Sequence, residues 1–450
     1  MESERSRSRD PRVRWWQQPA AQRWGRAGLQ LAATLLLFPR LGAGYSVQTH
    51  EQLIDLTWKN SIRPFLLARY PQMTEGQLRE AHAYAYGGSA IQDLGYYPFG
   101  NAFFSDLTHY VRTGDFVRAL IHDARTPDEL AFAVGALSHY VGDTIGHAEA
   151  INPSVAIEFP KLRKRYGPSV PYDLGEHQHV RTEFAFDINQ ISKHRFAPST
   201  YLDNVGLNVS VSLVARAFYD TYGLNLYKLL GKRGPAMVRS YRFSVRRFLP
   251  RIAYAETVLH RSRFPADQPG PAVERLEQEL RQADFDNGWD KFRKKANFGT
   301  YLLAGLIVVT PKIGPLSDLA IKGPTSDTEQ EYVQSLLHAT DVLRRDLKDF
   351  NTTADLLPNR DLDTGAKVRP GGYRLTDETY ARLLGMVTRG KTVPVGLKED
   401  ILDYYADPNA PIATKKKAAQ WAAVQAELVT LQAMPTIGPA AAAAEAETVE

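Results

Sequence analysis

Apolar side chains recur at three- and four-residue spacing along most of the chain from residue 52 onward. This period places them on one face of an α-helix, whereas the strict alternation typical of a half-buried strand is scarce. The pattern predicts an all-α fold, a multi-helix domain with additional C-terminal helices. The predicted helices are Leu53–Leu67, Gly76–Tyr86, Asp115–Ala124, Pro127–Val141, Val209–Leu230, Ala236–His260, Glu329–Phe350, Thr376–Thr388 and Lys415–Ala433.

Composition divides the 450 residues into four parts. Residues 1–44 form a basic leader, and 45–265 are expected to be the catalytic domain. Residues 266–434 form a helical region that either belongs to the same domain or starts a second one, and the Ala-rich end at 435–450 is expected to be disordered. Within the third part, Thr300–Thr310 is apolar but only eleven residues long, which favours a buried helix over a membrane anchor. Contact of this segment with lipid is the alternative.

The leader has the layout of a secretory signal. Several arginines precede an apolar run from Leu29 to Phe38, and small residues follow at 42–44. This order predicts a secreted or periplasmic protein, the alternative being a disordered basic tail. With eight arginines and three acids the leader accounts for the whole net charge of +5. The neutral remainder argues against a specific nucleic-acid partner. The chain has no cysteine, so no disulfide can stabilise it in an oxidising compartment.

Histidines are concentrated in one part of the chain. Nine of the eleven lie between residues 50 and 194. His139, Asp143 and His147 are spaced i, i+4 and i+8 in a predicted helix, so their side chains share one face. His179 and Glu183 repeat the i, i+4 spacing. Histidine with carboxylates is the ligand set of zinc and related metals, and a buried carboxylate is costly unless it is paired or bound to a metal. The set predicts a metal site, with helix-surface His–Asp contacts as the alternative.

These motifs resemble those of the bacterial zinc-dependent phospholipase C family, which shares its fold with the single-strand-specific nucleases. The family carries a His-x3-Asp motif, a further His, a second His-x3-acid motif, and an earlier Asp and His. Its mature chain begins with an aromatic residue whose α-amine and carbonyl bind a metal. Tyr45, directly after the predicted cleavage region, takes this place, although the family usually has Trp there. The resemblance covers roughly residues 45–200.

The resemblance implies three zinc ions per chain. Asp93, His109 and His139 would hold the first ion. Tyr45 and His50 would hold the second, with Asp143 bridging the two. His147, His179 and Glu183 would hold the third. Asp93 is also the candidate catalytic residue, which would orient or deprotonate the attacking water. The implied substrate is a phospholipid or another phosphodiester, with peripheral contact to a membrane as a further expectation.

Three other functions stay open at this stage. The first is a nuclease or nucleotidase with the same three zinc ions. The second is a helical phosphohydrolase built on the doublet His122-Asp123, with His109 and Asp143 as its other ligands. The third is a protein whose metals only stabilise the fold, or which binds lipid without hydrolysing it.

Several residues near the motifs have two interpretations. His177 competes with His179 as a ligand, and we choose His179 because Glu183 follows it at helical spacing. His82 either orients a ligand or packs in the core. Tyr96, Tyr97 and Phe99 either line a substrate cleft or pack in the core. Arg112 and Arg181 either contact phosphate or are simply solvated. The polar segment Leu357–Asp363 is either structural or a binding loop.

Overall fold

A computed structural model of the protein describes residues 46–260, 265–266, 269–293, 300, 304–305 and 323–438. Within these residues the fold is built from helices, and the two strands Val393–Pro394 and Thr436–Ile437 form one short parallel pair. The all-α prediction is confirmed. No helix in the described part of the chain is long and apolar enough to cross a membrane.

The α-helices of the described residues follow each other in short steps. They are Val47–Thr57, Arg63–Arg69, Glu75–Gly88, Ala102–Tyr110, Thr113–His122, Pro127–Gly146, Asn152–Glu158, Pro160–Tyr166, Glu176–Ser192, Ser199–Val205, Val211–Tyr222, Leu226–Leu230, Gly234–Phe243, Leu249–His260, Pro271–Asn287, Ser326–Lys348, Phe350–Leu356, Arg374–Val387, Val395–Tyr404 and Ala418–Ala433. Three π-helical turns, Trp58–Ile62, His147–Ile151 and Ser244–Phe248, join consecutive helices without a break. Five short 3-10 segments complete the helical content: Gln92–Tyr96, Tyr172–Leu174, Gly231–Arg233, Trp289–Phe292 and Ala413–Lys416.

Every predicted helix has a counterpart, although most bounds shift by a few residues and π-helical turns interrupt two of the predicted helices, Leu53–Leu67 and Ala236–His260. Two further helices differ more strongly. The predicted Val209–Leu230 is two helices, because Gly223 adopts φ +62° and ends the first one. The predicted Lys415–Ala433 begins as a 3-10 turn. Helix Glu176–Ser192 was not among the predicted helices, although its His179–Glu183 spacing was noted. Most of Thr300–Thr310 lies outside the described residues.

Helix Pro127–Gly146 lies at the centre of the fold. Its start follows from local sequence, since the Thr126 side chain accepts the Glu129 N–H and Pro127 occupies the first turn. It packs against helices on several sides, among them Glu75–Gly88 and Ser326–Lys348. At the first crossing the backbones touch, because a Cβ on Gly135 would lie 2.2 Å from the Ala85 carbonyl oxygen.

One continuous apolar core joins the part of the chain before residue 265 to the part after it. The buried residues of helix Ser326–Lys348, for example, share this core with those of Pro127–Gly146. The domain boundary at 265/266 stays a prediction. Helices that follow residue 265 thus pack directly against helices of the preceding part of the chain.

Candidate metal centre

Eight of the nine predicted ligands lie in the described residues, and all eight are buried. Tyr45 lies outside the described residues. The eight come from six helical elements between residues 47 and 192: His50, Asp93, His109, His139, Asp143, His147, His179 and Glu183. They form three groups, and within each group one possible ligand atom from every residue lies within 4.8 Å of the others. We call these eight residues the ligand cluster.

The first group contains Asp93, His109 and His139. His109 Nε2 lies 3.3 Å from Asp93 Oδ1. The Nδ1 atoms of the two histidines point the other way, His109 Nδ1 lying 2.8 Å from the Ser105 carbonyl oxygen and His139 Nδ1 lying 3.0 Å from that of Ser89. A carbonyl oxygen can only accept, so Nδ1 carries the proton on both rings. Nε2 is therefore the nitrogen that each ring has available for a metal, because the hydrogen bond at Nδ1 fixes the orientation of the imidazole.

The second group contains His50, His139 and Asp143. Asp143 Oδ1 lies 3.2 Å from His50 Nε2, and Asp143 Oδ2 lies 3.0 Å from His139 Nε2. Asp143 Oδ2 is also 3.6 Å from His109 Nε2, in the first group. The two oxygens of Asp143 thus face different neighbours, which is the arrangement a bridging carboxylate requires.

The third group contains His147, His179 and Glu183. Asn152 Nδ2 donates to the carbonyl oxygen of Asp363 at 2.7 Å, which turns Asn152 Oδ1 toward His179 Nε2, also at 2.7 Å. Nε2 is then the protonated nitrogen of His179, and its Nδ1 lone pair faces Glu183 Oε1 at 2.6 Å. Two acceptors this close need a cation or a proton between them. Burial lowers the pKa of His179 well below its ordinary value, which disfavours the proton.

The spacing of the donor atoms fits zinc. Ligand bonds to zinc are ~2.0–2.2 Å long, so two ligand atoms on a tetrahedral ion are roughly 3.3 Å apart. The pairs formed by His50, His109 and His139 with carboxylate oxygens lie at 3.0 to 3.6 Å. Asp93 Oδ1 and the Nε2 atoms of His109 and His139 are buried without a hydrogen bond. Buried polar atoms are rarely left in this state, and a metal would satisfy all of them.

The electrostatics of the cluster follow from imidazoles packed against carboxylates. Burial alone would raise the pKa of Asp143, but His139 and His50 outweigh it and hold that pKa well below the usual range. Burial lowers the pKa of His109, yet its contacts with Asp93 and Asp143 raise it to about 9. Negative charge is thus retained at the centre of the cluster, where it attracts cations.

The remaining candidate residues lie elsewhere. His177 is exposed, unlike His179. His122 is 54% exposed and faces Asp355, and the doublet it forms with Asp123 is in none of the possible metal groups of the described residues. His82 packs between Trp58 and Tyr86, at ring distances of 3.9 and 4.6 Å, as a core histidine.

Of the arginine and aromatic candidates among the described residues, Tyr96 lies close to the ligand cluster. Arg112 binds Asp115 and the Thr221 carbonyl oxygen, and the Arg181 guanidinium lies over the Phe159 ring; both contacts are structural. Tyr97 packs on Tyr241 in the core, and Phe99 is exposed. Tyr96 is close to the cluster, its ring 5.5 Å from that of His109.

Asp187 was missed by sequence reasoning, although it continues the series of His179 and Glu183 at i+4. Its carboxylate accepts the backbone N–H of Gln48 at 3.1 Å and the hydroxyl of Thr49 at 2.7 Å. These bonds satisfy the free N–H end of helix Val47–Thr57. Helix Glu176–Ser192 thereby fixes the helix that carries His50. Asn152 was also missed, since its role depends on a fold contact.

A cleft of about 480 Å³ lies beside the ligand cluster. Tyr96 and Tyr172 line it, and their rings lie 5.5 Å from the ring of His109 and 5.8 Å from that of His179. The opposite wall is formed by helix Arg374–Val387, whose Arg374 and Arg382 side chains face the cleft beside acidic residues. The phenol rings that line this charged cleft thus contact two of the ligand histidines.

Comparison with known proteins gives one match. Residues 49–229 match the family model described as zinc dependent phospholipase C, and all eight residues of the ligand cluster lie in this segment. No curated protein and no solved structure gives a significant match to the chain. The match confirms the family resemblance that the motifs indicated.

Proposed function

Residues 49–229 belong to the zinc-dependent phospholipase C family, and from that premise we propose that the protein is an exported phosphodiester hydrolase. It acts on phospholipid head groups with three zinc ions per chain. The observation that carries this proposal is the set of three adjacent, buried groups of imidazole and carboxylate ligands. A structural zinc site has four protein ligands and is closed, whereas three protein ligands leave a position open for reaction.

Different residues of the metal centre would have different roles in hydrolysis. When bound, zinc would supply Lewis-acid activation of water at neutral pH and would neutralise charge on the phosphate. Asp93 is proposed to orient or deprotonate the attacking water through its second carboxylate oxygen, because its Oδ1 faces His109 Nε2 as a metal ligand would. Asp143 would keep the first two groups together, and Asn152 would fix the orientation of His179.

The cleft beside the cluster is proposed to receive the substrate. It offers cationic side chains, Arg374 and Arg382, and anionic ones, including Glu176 and Glu378. Arg374 is paired with Glu378 at 3.1 Å, so the charges on the wall are balanced. A wall of mixed charge suits a zwitterionic head group better than a long polyanion, which favours basic surfaces.

The substrate assay separates the candidate functions. The purified protein, supplied with zinc, is incubated with phosphatidylcholine vesicles and, in parallel, with single-stranded DNA. We expect release of diacylglycerol and phosphocholine, and loss of this activity in Asp93→Asn. Asp123→Asn is the matched control, because it makes the same change outside the cluster and should retain both zinc and activity.

Other outcomes of this assay would replace the proposal. Release of nucleotides without diacylglycerol would make the protein a nuclease. Retention of zinc without hydrolysis of either substrate would favour a structural role for the metal. The export step has its own check, which is N-terminal sequencing of the secreted form. We expect it to begin at Tyr45, the position at which a free α-amine could join His50.

A further inference from the structure

Asp363 is a buried carboxylate beside the ligand cluster, and it comes from outside the family-matched segment. It lies in the loop between helices Phe350–Leu356 and Arg374–Val387 and has no exposed surface. The sequence marks this loop only as polar. Its position next to the cluster is a result of the fold.

The two carboxylate oxygens of Asp363 have different surroundings. Oδ2 accepts hydrogen bonds from the hydroxyls of Tyr110, at 3.0 Å, and Tyr373, at 2.6 Å. Oδ1 is buried and has no hydrogen bond. A buried oxygen without a partner is unfavourable, so this position would be stabilised by a hydrogen-bond donor or a cation.

The backbone of the loop ties Asp363 to two ligand groups at once. The Leu362 N–H donates to the His109 carbonyl oxygen at 2.9 Å, beside the first group. The Asp363 carbonyl oxygen accepts from Asn152, the same residue that holds His179 in the third group. Asp363 also adds to the negative charge that acts on His109, after Asp93 and Asp143. The backbone of the loop therefore contacts residues of the first group and of the support of the third, and the Asp363 carboxylate is close enough to His109 to act on its charge.

The loop is held in place by contacts that do not involve the cluster. The Thr113 hydroxyl donates to the Arg360 carbonyl oxygen at 2.7 Å, and the Asp361 carboxylate caps the turn at Thr364. Gly365 has φ +68°, and a Cβ there would lie 2.2 Å from the Thr144 carbonyl oxygen. The loop approaches the central helix closely, which fixes the position of Asp363.

We propose that Asp363 is a further residue of the metal centre, whose Oδ1 would be an additional acceptor that strengthens zinc binding by the ligand cluster. This inference rests on the proposed zinc centre. It assigns to the C-terminal region a direct part in a site whose other proposed residues within the described chain lie in 49–229. The carboxylate would act on the cation or on a water that the cation holds, as residues around metal ligands commonly do.

The test measures zinc retention rather than activity. Full-chain wild type, Asp363→Asn and Asp361→Asn are loaded with zinc and dialysed against a graded series of chelator concentrations. Zinc per chain is then measured by elemental analysis. We expect Asp363→Asn to lose zinc at a chelator concentration about 10–100-fold lower than wild type, the range found for residues that support metal ligands. Asp361→Asn removes a carboxylate from the same loop and should stay within about twofold, because its bonds are local.

A second measurement separates metal binding from folding. The melting temperature of each protein is recorded with and without zinc. We expect Asp363→Asn to reduce the rise that zinc produces while leaving the zinc-free melting temperature at or above that of wild type. An equal fall with and without zinc would show that the carboxylate only supports Tyr110 and Tyr373, and would overturn the inference.

The remaining outcomes are equally distinct. Equal zinc retention in wild type and Asp363→Asn would overturn this inference and leave the proposed function intact. If Asp361→Asn lost zinc as readily as Asp363→Asn, the loss would be due to a displaced loop, and this outcome would also overturn the inference. If wild type itself bound no zinc, the proposed function would fail first.

Discussion

Helix Val47–Thr57 touches two buried polar clusters of opposite character. On one side, His50 joins the ligand cluster, where carboxylates face imidazoles. On another side, Glu51 and Asp55 are buried with Asp187, and we call these three residues the acidic cluster. In the acidic cluster, burial and then the neighbouring carboxylates raise the pKa of Glu51 well above its usual value. Burial raises the pKa of Asp55 to about 8, although the Tyr86 hydroxyl donates to it.

The comparison shows that burial alone does not determine the charge of a carboxylate. Asp143 and Asp55 are both buried, yet their pKa values move in opposite directions. The difference is the neighbour: Asp143 has His139 and His50, whereas Asp55 has Tyr86 and another acid, Glu51. Only the ligand cluster therefore keeps the negative charge that a divalent cation needs.

The largest expected effect comes from breaking the ligand cluster. His139→Ala removes a residue shared by the first two groups, so zinc content and hydrolysis should fall together. We expect the rate to drop by more than about 100-fold, beyond the cost of losing a supporting residue. Elemental analysis and the phosphatidylcholine assay measure the two quantities. His122→Ala is the matched control, since His122 is exposed; equal losses in both variants would contradict the assignment of His139.

The acidic cluster is tested by pH. The folded pKa of Asp55 lies above its ordinary value of 3.8, so its stabilising contribution is full below about pH 4 and is lost as pH rises toward 8. Asp55→Asn removes this dependence. From pH 5 to 8 the free energy of unfolding of wild type should fall relative to the variant by at most about 4 kcal/mol, at ~1.4 kcal/mol per pH unit. Denaturant unfolding of the zinc-free proteins at each pH measures this difference in free energy. If the free energies of wild type and Asp55→Asn changed with pH in the same way, Asp55 would be ionised in the folded protein and the prediction would be wrong.

A smaller effect is expected from Asn152→Ala. This variant removes the acceptor that fixes the His179 tautomer while leaving all eight residues of the ligand cluster in place. Zinc should be released at a chelator concentration about 10–100-fold lower, with little change in the zinc-free melting temperature. Asn287→Ala is a control of the same residue type, because among the described residues the Asn287 side chain donates only to the Ala283 carbonyl oxygen of its own helix. Unchanged zinc retention in Asn152→Ala would mean that Glu183 alone orients His179.

The smallest effect is expected from Tyr86→Phe. The variant removes the hydrogen bond to Asp55 and should lower the free energy of unfolding by about 1–2 kcal/mol. It should leave zinc retention unchanged, because Tyr86 contacts the acidic cluster and not the ligand cluster. Thermal and denaturant unfolding measure the first quantity and chelator dialysis the second. A loss of zinc would show that the two clusters are coupled through helix Val47–Thr57.

Much of the ligand cluster was accessible from the sequence because its spacing is local. His139, Asp143 and His147 share a helix face by periodicity alone, and His179 with Glu183 do the same. The choice between His177 and His179 also rested on helical spacing, and the structure buries His179 and exposes His177. The assignment of Asp93, His109 and His50 required the family resemblance, since no local period links them to the others. Their roles as ligands stay predictions.

Other features could not be read from local pattern. The break at Gly223 depends on a single left-handed residue inside an otherwise continuous apolar period. Asn152 and Asp187 act through hydrogen bonds to residues 27 and more than 130 positions away. Such contacts leave no periodic signal, because they depend on how helices pack.

The order of residues along the chain thus determined the helical class, the face of helix Pro127–Gly146 that carries His139 and Asp143, and the kind of metal that this chemistry suits. Each of these follows from short-range geometry and from the side chains themselves. Tertiary packing decided which carboxylates stay charged and which distant loop, at Asp363, reaches the cluster. Charge state and proximity depend on which neighbours a buried group meets, and those neighbours are set only when the helices come together.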